Sequence, residues 1–285
     1  MKILVTGAYG LVGQHICKLL EKDYPNIEIT KLKYRELALI KDNSIGFDFV
    51  IHAAGYGQPL KFSQDKIETI RIHTLTTDNL FRYLRPEGKF LFISSSEIYS
   101  GSPSPNKETD IGTTTPQHSR ACYIEGKRCG EAICMAYKEQ GYDVKIARLA
   151  LAYGPGTKKY DTRVLNQLIE QAIMNKHIEL LDDGGAVRTY CYVEDAAQMM
   201  LDILFKGKDV VYNVGGQSTV SIRELAVKIA SLTGCNVSLG DKPLGGAPSE
   251  VRLDMTKTLT EFPRTFVSLD EGLKRTIEYQ KQLYA

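Results

Sequence analysis

Two hydrophobic periods alternate along this chain. Short, nearly continuous apolar runs are followed by stretches in which apolar residues return every three or four positions. The first pattern predicts buried strands and the second amphipathic helices. Lys2–Thr6 (KILVT) reads as a strand, and Val12, Ile16, Leu19 and Leu20 then repeat at helical spacing. Ile27–Leu32 and Phe47–Ala54 are the next strands, Ile67–Leu84 a long amphipathic helix, and Lys89–Ile93 and Asp143–Leu149 further strands. A loop rich in Ser, Pro, Thr and Gly, Ser100–Gln117, leads to a helix around Tyr123. Beyond Tyr153-Gly154-Pro155-Gly156 the spacing predicts helices over Thr162–Asn175, Ala196–Phe205, Ser221–Thr233 and Leu269–Leu283. Strand-like runs fall at Ile178–Leu181 and Val210–Val214, and Asp182–Asp195 reads as a connection. Ser221 with Glu224, and Ser268 with Glu271, have the spacing of capping boxes. Such alternation predicts an α/β protein: a doubly wound parallel sheet of the seven-strand class, with a smaller C-terminal lobe over its carboxyl edge. Residues 1–155 with about 186–212 form the sheet domain in this reading, and 156–185 with 213–285 the lobe.

Composition narrows the class. The 285 residues are 43% apolar and 25% charged, with a net charge of +2, which is ordinary for a globular protein and gives no reason to expect nucleic acid or a membrane surface as partner. No apolar run is long enough to span a bilayer. The chain passes from Met1-Lys2 straight into a strand-like run, without room for a signal peptide. The six cysteines form no CxxC pair and no Cys/His cluster, so reduced thiols, a cytoplasmic location and no metal site are expected.

The first strand, a glycine turn and a helix follow one another at the start of the chain. In Gly7-Ala8-Tyr9-Gly10-Leu11-Val12-Gly13, Gly7 permits a tight turn, Gly10 lets backbone approach a pyrophosphate, and Gly13 lets the helix pack on the strand. Phosphates would then meet the helix N-terminus beside Tyr9, Leu11 and Val12. After the second strand the chain reads KLKYRE, so Lys33 and Arg35 stand where NAD binders carry an acidic residue, and Glu36 is late for that role. These cations suit a 2′-phosphate, hence NADP; the other reading is a solvated basic turn. Ala53 and Ala54 leave room for a cofactor at a strand end, and Ser94-Ser95-Ser96-Glu97 places hydroxyls where open α/β sheets bind ligands. Tyr123 and Lys127 stand four apart in RACYIEGKRCGE, on one face of a helix. An ammonium there favours the phenolate, making the pair a proton-transfer device for alcohol oxidation.

The glycine turn, the serine-bearing strand end and YIEGK together resemble the extended short-chain dehydrogenase/reductase family, including its NAD-dependent epimerases and dehydratases. ARLALAYGPG, RTYCYVEDAA, YNVGGQSTVSIRELA and RLDMTKTLTEF resemble family blocks in family order. KIETIRIHTLTTDNLF, SSSEIYS, RACYIEGKR and DEGLKRTIEY are most similar to UDP-glucuronate decarboxylases. The resemblance implies a nucleotide-sugar substrate, tightly recycled NAD, transient oxidation at the sugar C4, and a homodimer through a four-helix bundle using Ile133, Ala136 and Tyr137. It implies Tyr123 as acid/base, Lys127 as its tuner and ribose holder, and Ser95 on the same sugar oxygen. It further implies Glu97 as the acidic residue of decarboxylases and dehydratases, Ser96 beside the substrate, Arg188 as the decarboxylase arginine and Arg252 as a diphosphate contact. The chain departs from the pattern at Leu151 and His73, where many members carry asparagine, and in lacking the acidic ribose residue. A 4-epimerase, a 4,6-dehydratase and an NADP-dependent keto-sugar reductase are the alternatives, and a catalytically idle nicotinamide-binding regulator is a reading of another class.

Overall fold

Strand β1 (Lys2–Thr6) owes its place to side chains with no polar atom: Ile3, Leu4 and Val5 are fully buried. In the computed structural model, which describes residues 1–33, 35–36, 46–242 and 250–285, it lies inside a sheet with β2 (Glu28–Leu32) and β3 (Phe47–His52) on its two sides, both parallel to it. Beyond β3 come β4 (Leu84–Ser95), β5 (Asp143–Leu149) and β9 (Val211–Val214), again parallel, in the order β2-β1-β3-β4-β5-β9. The chain thus leaves β1 in one direction and returns on its other side at β3. That reversal opens a crevice at the carboxyl ends of the strands. Among the described residues the sheet has six strands rather than seven.

Helices cover both faces. α1 (Leu11–Asp23) and α7 (Val193–Lys206) share one apolar layer, with Ile16, Leu20, Met199, Met200 and Ile203 against Ile51, Leu91 and Ala147. The other face takes α2 (Pro59–Gln64), α3 (Lys66–His73), α4 (Leu75–Phe81) and α5 (Ala121–Glu139). There Phe81 stacks between Phe90 at 4.1 Å and Tyr137 at 3.8 Å. Burying each such aromatic removes apolar area worth about 2–3 kcal/mol. The long helix expected over Ile67–Leu84 is two helices. Thr74 breaks it, and the hydroxyls of Thr74 and Thr77 donate to the carbonyls of Ile70 (2.9 Å) and His73 (2.8 Å). Such back-bonding bends helices, and β-branched residues add little to resist it.

The rest of the chain builds around a separate apolar cluster. It draws on β6 (Ala152–Tyr153), α6 (Val164–Met174), β7 (His177–Glu179), β8 (Val187–Tyr192), β10 (Ser218–Ser221), α8 (Ile222–Thr233) and α10 (Leu269–Tyr284). β8 lies in the stretch expected as a connection. It runs antiparallel to β10 and parallel to β6 and β12 (Glu250–Val251). β11 (Asn236–Ser238) pairs with β7, and α9 (Thr256–Glu261) follows β12. Both serine caps are made: Ser221 accepts the Glu224 amide at 3.1 Å while the Glu224 carboxylate accepts the Ser221 amide at 2.8 Å, and Ser268 accepts the Glu271 amide at 3.3 Å.

Candidate active site

The glycine turn has the shape the sequence implied, and its close contacts explain why. Gly7 has φ +70, and a Cβ there would stand 2.5 Å from the Ala53 carbonyl oxygen. A Cβ on Gly13 would stand 2.2 Å from the Gly7 oxygen. The turn closes through the Gly10 amide on the Gly7 carbonyl at 2.9 Å. α1 then starts at Leu11 and Val12 with no side-chain cap and no acidic residue in its first turn, so its free amides and positive end suit an anion. These residues fit the pyrophosphate of a dinucleotide. Ala53, half-buried, and Ala54, buried, end β3 beside the turn. Tyr9 is exposed, with the Lys33 ammonium 5.9 Å from its ring centroid. Glu36 turns back on Lys33, accepting its amide at 2.8 Å and pairing with its ammonium at 3.5 Å. Lys33 thus already has an anion, which weakens the 2′-phosphate reading; Arg35 is exposed.

Across the crevice, β4 ends in a 3-10 turn, Ser96–Tyr99, because the Ser95 hydroxyl accepts the Glu97 amide at 3.2 Å. α5 packs close against this strand. A Cβ on Gly130 would reach Phe92 Cζ at 2.5 Å and the His73 oxygen at 2.6 Å. That approach brings the Tyr123 hydroxyl into a hydrogen bond with Ser95. Phe62 stacks on the Tyr123 ring at 4.8 Å, and His73 meets its edge at 5.4 Å. Lys127 is buried, donates to the Ile93 carbonyl at 2.6 Å, and holds its ammonium 5.9 Å from the Tyr123 ring centroid.

The two titrating groups move opposite to expectation for the phenol. Burial pushes Tyr123 up to about 12, with the Ser95 hydrogen bond opposing it, while burial brings Lys127 down to about 7 against the pull of Glu131. Lys127 acts weakly on the phenol because its ammonium turns to the Ile93 carbonyl instead. In the chain as it stands, Tyr123 is a poised acid rather than a preformed phenolate.

Charged groups line the outer side. Glu97 pairs with Arg120 at 2.7 Å, and Arg188, half-buried, feels the charges of both. Ser96 is half-buried next to Glu97. Arg252 follows the β12 residue paired opposite Arg188 and makes its ion pair with Glu250 at 3.1 Å. The structure therefore gathers Ser95, Glu97, Tyr123, Lys127 and Arg188, and puts Arg252 just past the end of β12, the strand paired with Arg188. The motifs did not single out Arg120 or Arg163. Arg163 is held by the buried Asp161 through two contacts at 2.7 and 3.0 Å, and its charge reaches Tyr123. Arg120 could have been found from its spacing, one helical turn before Tyr123. Leu151, at the expected asparagine position, adopts φ +36, a region asparagine tolerates better than leucine. His73 is fully buried, and among the described residues neither ring nitrogen has a hydrogen-bond partner.

An open parallel sheet, an anion-ready glycine turn and a Ser/Tyr/Lys trio at the strand ends define a dinucleotide-dependent oxidoreduction site. The profile of the NAD dependent epimerase/dehydratase family matches residues 3–215. The chain belongs to that family: it is an NAD-dependent enzyme of nucleotide-sugar metabolism. It is 28% identical over 302 residues to UDP-glucuronic acid decarboxylase 1 of Danio rerio, covering 98% of this chain and 72% of that one. It is 27% identical over 288 residues to UDP-glucuronic acid decarboxylase 5 of Arabidopsis thaliana, covering 90% and 82%. In fold it is similar to the UDP-glucuronic acid 4-epimerase of Bacillus cereus, solved with UDP-glucuronic acid and NAD (24% identity, TM-score 0.85, all of both chains). The dTDP-glucose 4,6-dehydratase of Bacillus anthracis, solved with NAD, gives a TM-score of 0.78 at 21% identity over 99% of this chain and 97% of that one. No helix among the described residues is long and apolar enough to cross a membrane.

Proposed function

We propose that the chain decarboxylates a UDP-hexuronate, UDP-glucuronate first, through transient oxidation at C4. The observation that carries this reading is the carboxylate of Glu97, fixed by Arg120 two residues beyond the serine bonded to Tyr123. An oxidation and return of hydride at C4 needs only the trio. A carboxylate held beside it gives the site a second proton-handling group, which loss of the C6 carboxylate requires and simple epimerisation does not. Gly7, Tyr9, Gly10, Leu11, Val12 and Gly13, with Ala53 and Ala54, would hold NAD, which would supply the hydride acceptor and then the donor.

In this reading Tyr123 is the acid/base at the C4 oxygen: it gives up its own proton before turnover, takes the C4 hydroxyl proton as hydride leaves, and returns it at the end. Ser95 hydrogen-bonds the same oxygen, and Lys127 holds the ribose. Oxidation at C4 makes the sugar a β-keto acid. The C5–C6 bond breaks with loss of carbon dioxide, and its electron pair passes to the C4 oxygen as an enolate. C5 takes up a proton, with Glu97 as the candidate donor, before C4 is reduced again. Arg188 orients the sugar and Arg252 meets the diphosphate, as fits a guanidinium. In this reading 1–155 with about 186–212 bind the dinucleotide, and 156–185 with 213–285 the substrate. Incubation with UDP-glucuronate and NAD, followed by mass spectrometry, tests it. The expected result is a nucleotide sugar lighter by carbon dioxide, with no net NADH formed. A product of unchanged mass and inverted C4 would establish the epimerase instead, and loss of water the dehydratase.

A further inference from the structure

α5 sends two charged side chains, one turn apart, onto two consecutive residues of β4. Lys127 donates to the Ile93 carbonyl at 2.6 Å, and Glu131 receives the Ser94 hydroxyl at 2.5 Å. Positions four apart on a helix share a face and are neighbours. Both side chains are buried, Lys127 at 5% and Glu131 at 8% exposure. Glu131 is further clamped by Arg148 of β5, through Nη2 at 2.7 Å and Nε at 3.1 and 3.2 Å to its two oxygens. Arg148 is itself held by the Tyr99 hydroxyl at 2.8 Å and the Glu108 carbonyl at 2.7 Å. None of these contacts reaches Tyr123 or the crevice.

A buried ammonium with no anion near it loses its proton. The groups facing Lys127 are Tyr123, Glu131 and Cys134 from α5, His73 from α3, His52 from β3 and the Ile93 carbonyl from β4. His52 and His73 are kept neutral by burial, and burial keeps Cys134 a neutral thiol. Glu131 is the one carboxylate in that set. A buried carboxylate needs partners, and the bidentate Arg148 with Ser94 supplies them.

We propose that Glu131, locked by Ser94 and Arg148, is a positioning residue that keeps Lys127 an ammonium in its buried seat. Ser94 is thereby assigned a task distinct from that of Ser95: it holds the counter-ion of the lysine, not the substrate. The inference rests on the acid/base reading of Tyr123 and Lys127.

The test is the titration of Lys127 itself, followed by NMR of protein carrying 13Cε-lysine and assigned by the signal lost in Lys127→Met. Glu131→Gln keeps the shape and removes the charge. The expected result is a Lys127 midpoint lowered by about one pH unit, a tenfold larger ratio of neutral to charged lysine at a given pH. The alkaline limb of the kcat profile should move by the same amount. If Glu131→Gln fails to fold because Arg148 is left unpaired, the pair Glu131→Gln with Arg148→Met removes both charges, and a smaller lowering is expected because the opposing charge of Arg148 is lost too. A Lys127 midpoint unchanged in the folded variant overturns the inference, whatever happens to stability. Full turnover in Tyr123→Phe would instead remove the acid/base reading beneath it, so the two failures are distinguishable.

Discussion

At the scale of single residues the trio and Glu97 make separable demands. Tyr123→Phe keeps the ring stacked on Phe62 and removes only the transferable proton. General acid–base catalysis contributes about 10²–10⁴-fold, so kcat should fall by that order while NAD affinity, read by fluorescence titration, barely moves. Glu97→Gln should leave hydride transfer to bound NAD measurable in a single turnover at 340 nm, while release of carbon dioxide slows. Unchanged release would return Glu97 to a surface role with Arg120. A second residue-scale prediction concerns acid. Burial, with the charge of Lys127 adding, holds His52 down to about 3. The unfolded chain takes up that proton near 6.5, and the folded chain refuses it until about pH 3. Folding therefore loses about 1.4 kcal/mol for each pH unit below about 6.5. The melting temperature should fall from pH 7 to pH 5, and His52→Gln should flatten that slope; an equal slope in the variant would show that other groups carry it. The serine run at a strand end and Tyr123 with Lys127 on one helix face were legible in sequence because both are local patterns, whereas the choice of Ser95 and Glu97 came from the resemblance. The rise of the Tyr123 pKa was not, since it depends on Phe62 and His73 closing over the ring from α2 and α3.

At the scale of elements, local chemistry decided what could be read in advance. Asp143–Leu149 is a strand from end to end as its apolar run predicts. The serine caps of α8 and α10 stand where their spacing put them. Ser221→Ala removes the hydroxyl half of the α8 box and should cost about 1 kcal/mol, a drop of roughly 2–4 °C in Tm by calorimetry. No loss would mean that packing of Leu225 and Ile229 in the lobe cluster alone holds the helix start. β8 escaped notice because it needs partners from three distant segments, β6, β10 and β12, and no local period announces that. The break at Thr74 escaped for the opposite reason. Apolar spacing runs on through it, while the threonine hydroxyls undo the helix beneath.

At the scale of the whole molecule the open question is assembly. We propose a homodimer through α3, α4 and α5, whose Ile67, Ile70, Leu75 and Met135 are exposed at 60, 39, 59 and 38%. Of the positions the resemblance implied, Ala136 is exposed, and Ile133 and Tyr137 are partly buried against the apolar layer around Phe81. Sedimentation at micromolar concentration should give twice the chain's 31.8 kDa, and Ile67→Glu with Leu75→Glu should return it to that mass. A wild-type monomer would remove the proposal. The sheet and its crevice were visible from strand–helix alternation alone, whereas the exposed side of a helix pair depends on which helix bends.

The seating of α5 on β4 also sets where this gene can change length. Inserting one residue between Tyr123 and Glu131 turns everything beyond it by about 100° around the helix axis. Lys127 or Glu131 would then leave its β4 partner, and the reading frame would survive while the site did not. The exposed run Thr115–Ser119 just upstream is under no such phase. Insertions and deletions among functional descendants should therefore collect there and stop short of Arg120. A library of single-codon insertions scanned through both stretches, scored for turnover, would draw that boundary.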